Sequence, residues 1–269
     1  MPATILHEIA ERRRTAIAER KKAFAPGLPP RPEAFGPART GTFRAALRRS
    51  GPLRFLCELK KASPSKGLLR EHFDVPSLAR AYAQGGASAL SVLTEPDFFQ
   101  GDPAYLTEAK RASGLPCLLK DFVIDAWQID EAVSLGADAV LLIVALLPLD
   151  QLDRLVRHAH MKGLDSLVEV HTDAELDVAL AAGSDLIGIN NRDLATFHVD
   201  PTVTLRLRPR IPAGITVVSE SGIVTPEDVR RLSAARVDAA LIGEAFMRQD
   251  DVAQAVATLV AAAAAAAAA

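Results

Sequence analysis

Glu58 and Lys60 in FLCELK, Lys120 in PCLLKDF, Glu169 in DSLVEVH, Asn190 and Arg192 in DLIGINNRDL, and Glu220 and Ser221 in TVVSESG all stand at the carboxyl-terminal ends of short apolar runs. Two lysines and two glutamates gathered in one cavity form a tunable acid/base set, because desolvation and lysine neighbours lower a lysine pKa whereas carboxylates raise it. A lysine near neutrality donates a proton to a carbonyl or a departing oxygen, and a carboxylate opposite it takes a proton or steadies a cationic intermediate. Such chemistry needs a scaffold that aims the ends of several strands at one place.

The runs FLCEL, ALSVL, CLLK, AVLLIV, SLVEV, LIGIN, TVVSE and AALIG are almost continuously apolar, as strands covered on both faces are. Helical spacing predicts helices over 76–84, 103–113, 126–135, 149–160, 173–182, 201–207, 226–235 and 245–259. Glycines in GLPC, LGAD, KGLD and AGSD close several of them, and VTPED and LPLDQ place a proline near a start. Strand then helix, repeated at intervals of roughly 20–35 residues, predicts an α/β fold, a closed (β/α)8 TIM barrel. Residues 4–24 read as an extra N-terminal helix that lies across one barrel end, followed by the proline-rich connector APGLPPRPEAFGPARTG and a short helix in FRAALRRSG. The expected divisions are residues 1–51 for this extension, 52–260 for the barrel, and 261–269 for a low-complexity alanine tail with no chemistry.

Alternation along the first strand puts Leu56, Glu58 and Lys60 on one face and Phe55, Cys57 and Leu59 on the other, so the charged pair points into the barrel mouth. The same parity groups Lys120 with Leu118, Glu169 with Leu167, and Asn190 with Gly188. Structural barrels fill these layers with branched aliphatics, and Lys and Glu are seldom buried unpaired. Gly222 in SESG and Gly243 in LIGEAF follow the last two strands, where a barrel's loops and a helix N-terminus favour a phosphate. In the loop KKASPSKG, Lys60 and Ser63 face an anionic substrate from the opposite rim, while Phe98, Phe99 and Phe122 offer an apolar wall for an aromatic ring.

A net charge of -2 with interspersed signs excludes the basic footprint of a nucleic-acid binder. The opening MPATILHEIAERRR lacks a secretory apolar core, and AVLLIVALL is far short of the ~20 residues of a membrane span, so a cytoplasmic protein without membrane contact is expected. Cys57 and Cys117 read as small buried hydrophobes. His7, His72, His158, His160, His171 and His198 lack ligand spacing, so no metal is expected, and no dinucleotide, Walker or Ser/His/Asp pattern is present.

Together CELKKASPSKG, ALSVLTEPDFFQGDPAYL, LLKDFVIDAWQIDEAVSLGADAVLLIVALL, LVEVHTDAEL, IGINNRDLATFHVD, VVSESGI and LIGEAFM resemble the indole-3-glycerol phosphate synthase family over residues 52–250. The resemblance implies a cofactor-free ring closure in tryptophan biosynthesis, with loss of carbon dioxide and water from 1-(2-carboxyphenylamino)-1-deoxyribulose 5-phosphate. It implies Lys120 as general acid on the ketone, Glu169 as general base in dehydration, and Lys60 gripping the anthranilate carboxylate. Which lysine serves the dehydration stays open. It further implies Glu58 and Asn190 positioning the anilino nitrogen and hydroxyls, with Arg192 and Glu220 completing the polar wall. Ser221, Gly222 and Gly243 fall where the family binds phosphate, and Phe99, Phe122, Leu141 and Leu194 where it packs the ring. A monomer or weak homodimer acting on a small phosphorylated molecule is expected. Two competing readings are a phosphoribosylanthranilate isomerase-like barrel, which would need a cysteine at the mouth, and a non-catalytic sugar-phosphate-binding barrel.

Overall fold

The computed structural model describes residues 5–25 and 27–268. Among these residues eight parallel strands close a barrel: β1 Arg54–Leu59, β2 Ala89–Leu93, β3 Cys117–Lys120, β4 Ala139–Ile143, β5 Asp165–Val170, β6 Leu186–Asn190, β7 Thr216–Glu220 and β8 Ala239–Ile242. Each strand pairs with its sequence neighbours and β1 closes on β8, so no edge is left unpaired. Side-chain alternation splits the apolar residues into two clusters. Phe55, Cys57, Leu59, Leu90, Val92, Leu119, Val168 and Ile187 pack outward on the helices, and Leu56, Ala89, Leu118, Ala139, Leu167, Leu186, Val218 and Ala239 fill the barrel interior.

Local signals set the helices. Asp125 and Gln128 form a capping box for Ala126–Leu135, as Thr225 and Asp228 do for Pro226–Ala234. The helix expected over 245–259 is instead two, Glu244–Met247 and Val252–Ala268. Arg70 takes the Met247 and Gln249 carbonyls at 3.1 and 2.9 Å, and Asp251 accepts the Gln254 N–H at 2.9 Å, so the charged stretch RQDD ends one helix and starts the other. The second runs on through the alanine tail, with Ala263 fully buried. Residues 4 and 269 of the expected helix and tail lie outside the described residues.

The N-terminal helix Ile5–Ala23 packs beside the carboxyl-terminal end of the barrel, where Arg13 reaches Asp121 just beyond β3 and Arg20 pairs with Glu131. The connector does more than link. Arg31 donates to the Ala137 carbonyl at 2.6 Å and pairs with Asp138 at 3.2 Å, and the Phe35 ring sits where a Cβ on Gly136, at φ +97°, would come within 2.5 Å. The short helix Thr42–Leu47 then plugs the opposite, amino-terminal end, sending Phe43 and Leu47 into the interior cluster. Its start is held by Asp165, fully buried in β5, whose carboxylate accepts the Gly41 and Arg44 N–H groups at 2.7 and 2.9 Å.

Asp165→Ala removes both acceptors at a buried site, and the expected loss of stability is about 2–3 kcal/mol. Urea unfolding should show a lower midpoint with an unchanged slope; an unchanged midpoint would remove Asp165 from this role.

Candidate active site

One cavity of about 510 Å³ opens at the carboxyl-terminal end of the barrel, and all but one of the candidate residues predicted from the sequence line it: Glu58, Lys60, Ser63, Phe99, Lys120, Phe122, Leu141, Glu169, Asn190, Arg192, Leu194, Glu220, Ser221, Gly222 and Gly243. Asp121, Lys66 and Arg248 also line it, although no role was expected of them. Phe98 does not; it lies under Arg12 of the N-terminal helix, 5.1 Å from the guanidinium carbon.

The polar floor is built by register. Glu169 stands opposite Ile143 and Gly188, and Asn190 opposite Glu220. Lys120, at the end of β3, places Nζ 3.3 Å from Glu220 Oε2 and 3.5 Å from Glu169 Oε2. Glu58 pairs with Lys60 at 2.7 Å and accepts from Ser91 Oγ at 3.3 Å. Asn190 donates Nδ2 to Glu169 Oε1 at 3.2 Å, while its Oδ1 accepts from Ser221 Oγ at 2.9 Å and from the Arg192 N–H at 3.0 Å. Small residues make this crowding possible. A Cβ on Gly188 would stand 2.3 Å from Glu220 Oε1, and one on Gly243 would stand 2.6 Å from Glu58 Oε1.

Burial opposes every charge here, and the outcome is decided by partners. Desolvation alone would lower Lys120, but Glu220, Glu169 and Glu58 outweigh it and hold the ammonium protonated well above the ordinary lysine range. The lysine near neutrality that the sequence allowed is therefore not Lys120. One ammonium cannot neutralise two adjacent carboxylates, so the glutamates separate. Glu169, buried yet facing Lys120, His171 and Asn190, is pushed below the usual carboxylate range. Glu220 is raised, because burial and the neighbouring Glu169 and Glu58 charges exceed the help from Lys120, and its Oε1 has no hydrogen-bond partner. Glu58 is also buried, yet Lys60 and Lys120 bring it down. The arrangement offers a fixed ammonium, an ionised carboxylate as proton acceptor, and a second carboxyl that carries a proton readily.

Around this floor Phe99 and Phe122 tilt against each other with centroids 6.0 Å apart, forming an apolar wall with Leu141 and Leu194. The opposite rim combines the left-handed Ser221 and Gly222, at φ 67° and 77°, with the start of the helix Glu244–Met247, whose first amides have no intrahelical acceptor. Arg192, Lys66 and Arg248 add positive charge. Cys57 faces the outer core, where burial raises its thiol pKa, so β1 offers the mouth no cysteine acid. Among the described residues no group of three His, Cys, Asp or Glu side chains is placed to hold a metal ion; the His7 side chain is outside them.

His171 and Arg13 were not anticipated. His171 bridges Glu169 and Glu175, at 3.4 and 2.9 Å. The signal was available, since two residues past Glu169 keeps the same strand parity. Arg13 lies in a helix where the flanking arginines are exposed, so nothing in its spacing sets it apart; it is buried against Asp121 at 2.9 Å.

A model of the family described as indole-3-glycerol phosphate synthase matches residues 6–259. The chain is 45% identical over 247 residues to an indole-3-glycerol phosphate synthase of Thermoanaerobacter pseudethanolicus, an alignment covering 91% of this chain and 92% of that one. It is 50% identical over 219 residues to the protein of the same name from Aromatoleum aromaticum, covering 81% and 83%. Among solved structures, 3-hexulose-6-phosphate synthase from Salmonella typhimurium superposes with a TM-score of 0.64 at 13% identity, over 78% of this chain and 98% of that one. A thiamine phosphate pyrophosphorylase from Pyrococcus furiosus gives 0.59 at 18% identity, over 80% and 96%. These two likenesses concern the fold alone.

Removing either partner carboxylate should release the Lys120 ammonium. In NMR of selectively labelled lysine, the wild-type side chain stays protonated past the ordinary value of 10.5, whereas Glu220→Gln and Glu169→Gln move its titration downward. A wild-type Lys120 that titrates with the surface lysines would show that the cluster does not hold it.

Proposed function

The chain belongs to the indole-3-glycerol phosphate synthase family, decarboxylating lyases of tryptophan biosynthesis, and from that premise we propose how this cavity closes the indole ring of 1-(2-carboxyphenylamino)-1-deoxyribulose 5-phosphate. The observation that carries the assignment is Lys120 Nζ, held between Glu220 and Glu169 at 3.3 and 3.5 Å, at the polar end of a cavity whose other wall is aromatic. The anthranilate ring lies against Phe99, Phe122, Leu141 and Leu194. The phosphate is received by Ser221, Gly222, Gly243 and the adjacent amides, with Ser63 on the facing rim.

In this pose the Lys120 ammonium hydrogen-bonds the substrate ketone. As the ring carbon bearing the carboxylate attacks that carbonyl, negative charge grows on its oxygen, and the new alkoxide is more basic than any ammonium, so the proton moves to it from Lys120. The ring carbon then expels carbon dioxide and keeps the bonding electrons as aromaticity returns. Dehydration follows: the hydroxyl leaves with a proton from an ammonium, and Glu169 takes the proton that completes the indole. Lys60, steadied by Glu58, grips the anthranilate carboxylate and is the second ammonium available to the departing hydroxyl. Asn190 holds Glu169 and, with Glu58, Arg192 and Glu220, orients the anilino nitrogen and ribulose hydroxyls.

We place this reaction in the cytoplasm, with a small phosphorylated substrate as the partner. The acid/base set is complete within one chain, as a monomer or weak homodimer requires. Among the described residues no helix is long and apolar enough to cross a membrane.

Mixing the protein with the carboxyphenylamino-deoxyribulose phosphate should produce a rise in indole fluorescence. Lys120→Ala and Glu169→Gln should each lower kcat by roughly 10²–10⁴, while binding of the phosphate-bearing substrate persists because other strands build that rim. Absence of the rise with wild-type protein would sink the assignment, and near-normal turnover in either variant would remove that residue from its role.

A further inference from the structure

His171 is a titratable group in contact with Glu169 that the mechanism above leaves unused. It directly follows β5, and its side chain is only 11% exposed. One carboxylate oxygen of Glu175, in the first turn of the helix Asp173–Ala181, accepts both the His171 backbone N–H at 2.7 Å and Nδ1 at 2.9 Å. Two bonds to one oxygen fix the ring plane. Glu175 is itself placed by the Thr172 cap, whose hydroxyl accepts the Glu175 N–H at 3.2 Å. The ring is thereby aimed so that Nε2 lies 3.4 Å from Glu169 Oε1.

That nitrogen is buried and makes no hydrogen bond of acceptable geometry, so it is a close ionic contact with unused donor capacity. Hydrogen bonds to catalytic groups are often long before substrate binds and tighten afterwards. Asn190 also donates to Oε1, whereas Lys120 faces Oε2. The two oxygens of Glu169 thus have separate duties.

Resting on the reading of Glu169 as general base, we propose that His171, clamped by Glu175, is a positioning residue that engages Glu169 through Oε1 and leaves Oε2 as the oxygen that takes the substrate proton. Both ring nitrogens face carboxylates, and only an imidazolium can donate to both. The charged groups around the ring are Glu169 on β5, Glu175 on the following helix and Asp193 in the loop after β6; Lys120 and Glu220 lie beyond Glu169. Burial disfavours the imidazolium, but Glu169 and Glu175 prevail and push its pKa up to about 10. The ring is therefore charged throughout the neutral range. Because this folded value lies above the unfolded one, the stabilisation it gives is complete below about 6.5 and is lost as pH rises through about 10.

The test combines two readouts on the whole protein. Nitrogen NMR of labelled histidine should show His171 as imidazolium to about pH 10 in wild type, and titrating lower in Glu175→Gln. In steady-state assays, His171→Gln, which keeps a neutral donor, and His171→Ala should lower kcat by about tenfold or more with KM within about twofold, Ala being the worse. The acid limb of their pH–rate profile should move upward by about one unit, since a cation no longer holds Glu169 ionised. A merely structural histidine would lower Tm in His171→Ala and leave kcat and the acid limb as in wild type, which would overturn the proposal. Retained turnover in Glu169→Gln would instead overturn the assignment of the base on which it rests. Loss of turnover in Glu169→Gln with wild-type behaviour in both His171 variants would sink this inference alone.

Discussion

A lysine ammonium held among carboxylates inside a closed sheet is the constraint around which the rest is arranged. Lys120 is only 14% exposed and Glu169 and Glu220 2%, so none of them can be stabilised by bulk water. Removing one partner from such a cluster leaves an uncompensated buried charge, commonly a loss of about 3–5 kcal/mol in other proteins, a large fraction of the roughly 5–15 kcal/mol that holds a domain folded. The cluster therefore has to be closely connected, and it is. Lys120 meets two carboxylates, Asn190 relays from Glu169 to Ser221, and Lys60 satisfies Glu58. The loose end within this set, Glu220 Oε1, belongs to the carboxyl most ready to hold a proton.

Such a cluster can exist only where the sheet makes room for it. At the amino-terminal end the interior is sealed by Phe43 and Leu47 and filled by Leu56, Leu118, Leu167 and Leu186. Near the mouth that filling gives way to Ser91, Gly188 and the glycine after β8, and the freed volume is occupied by carboxylates. Gly243 has two claims on it. It is proposed for the phosphate rim, but its lack of a side chain is required first by Glu58, whose Oε1 would lie 2.6 Å from a Cβ there. Floor and rim are thus coupled through one position.

How much of this could be read in advance follows from which properties have a sequence period. Strand alternation has a period of two, so the inward set Leu56, Glu58, Leu118, Lys120, Leu167 and Glu169 was legible, and with it the closed barrel and the convergence of the cavity residues. Helix ends carrying caps, such as Asp125 with Gln128, were equally legible. Contacts made by residues past the strand ends have no period. The division of labour among Lys120, Glu169 and Glu220 depends on distances of a few ångströms between chains of the sheet far apart in sequence. The break after Met247 depends on Arg70 arriving from another loop. His171 is the intermediate case, since parity pointed it at the mouth while only the fold brought Glu175 to its other side.

The N-terminal helix shows why a charge was worth burying away from the reaction. Its apolar face is thin, with Leu6, Ile9, Ala10 and Ile17 buried among many arginines and glutamates, and such a stripe tolerates sliding by a turn. A buried ion pair does not tolerate it, because any shift strands both charges. Arg13 meets Asp121 at 2.9 Å, with both side chains under 5% exposed, and Thr94 Oγ and the Phe122 N–H complete the same carboxylate at 2.8 and 2.7 Å. An apolar pair of equal volume would hold the helix down about as well. It would not fix where the helix sits relative to the residue after Lys120 and the backbone of Phe122, and those two positions join the acid end of the cavity to its aromatic wall.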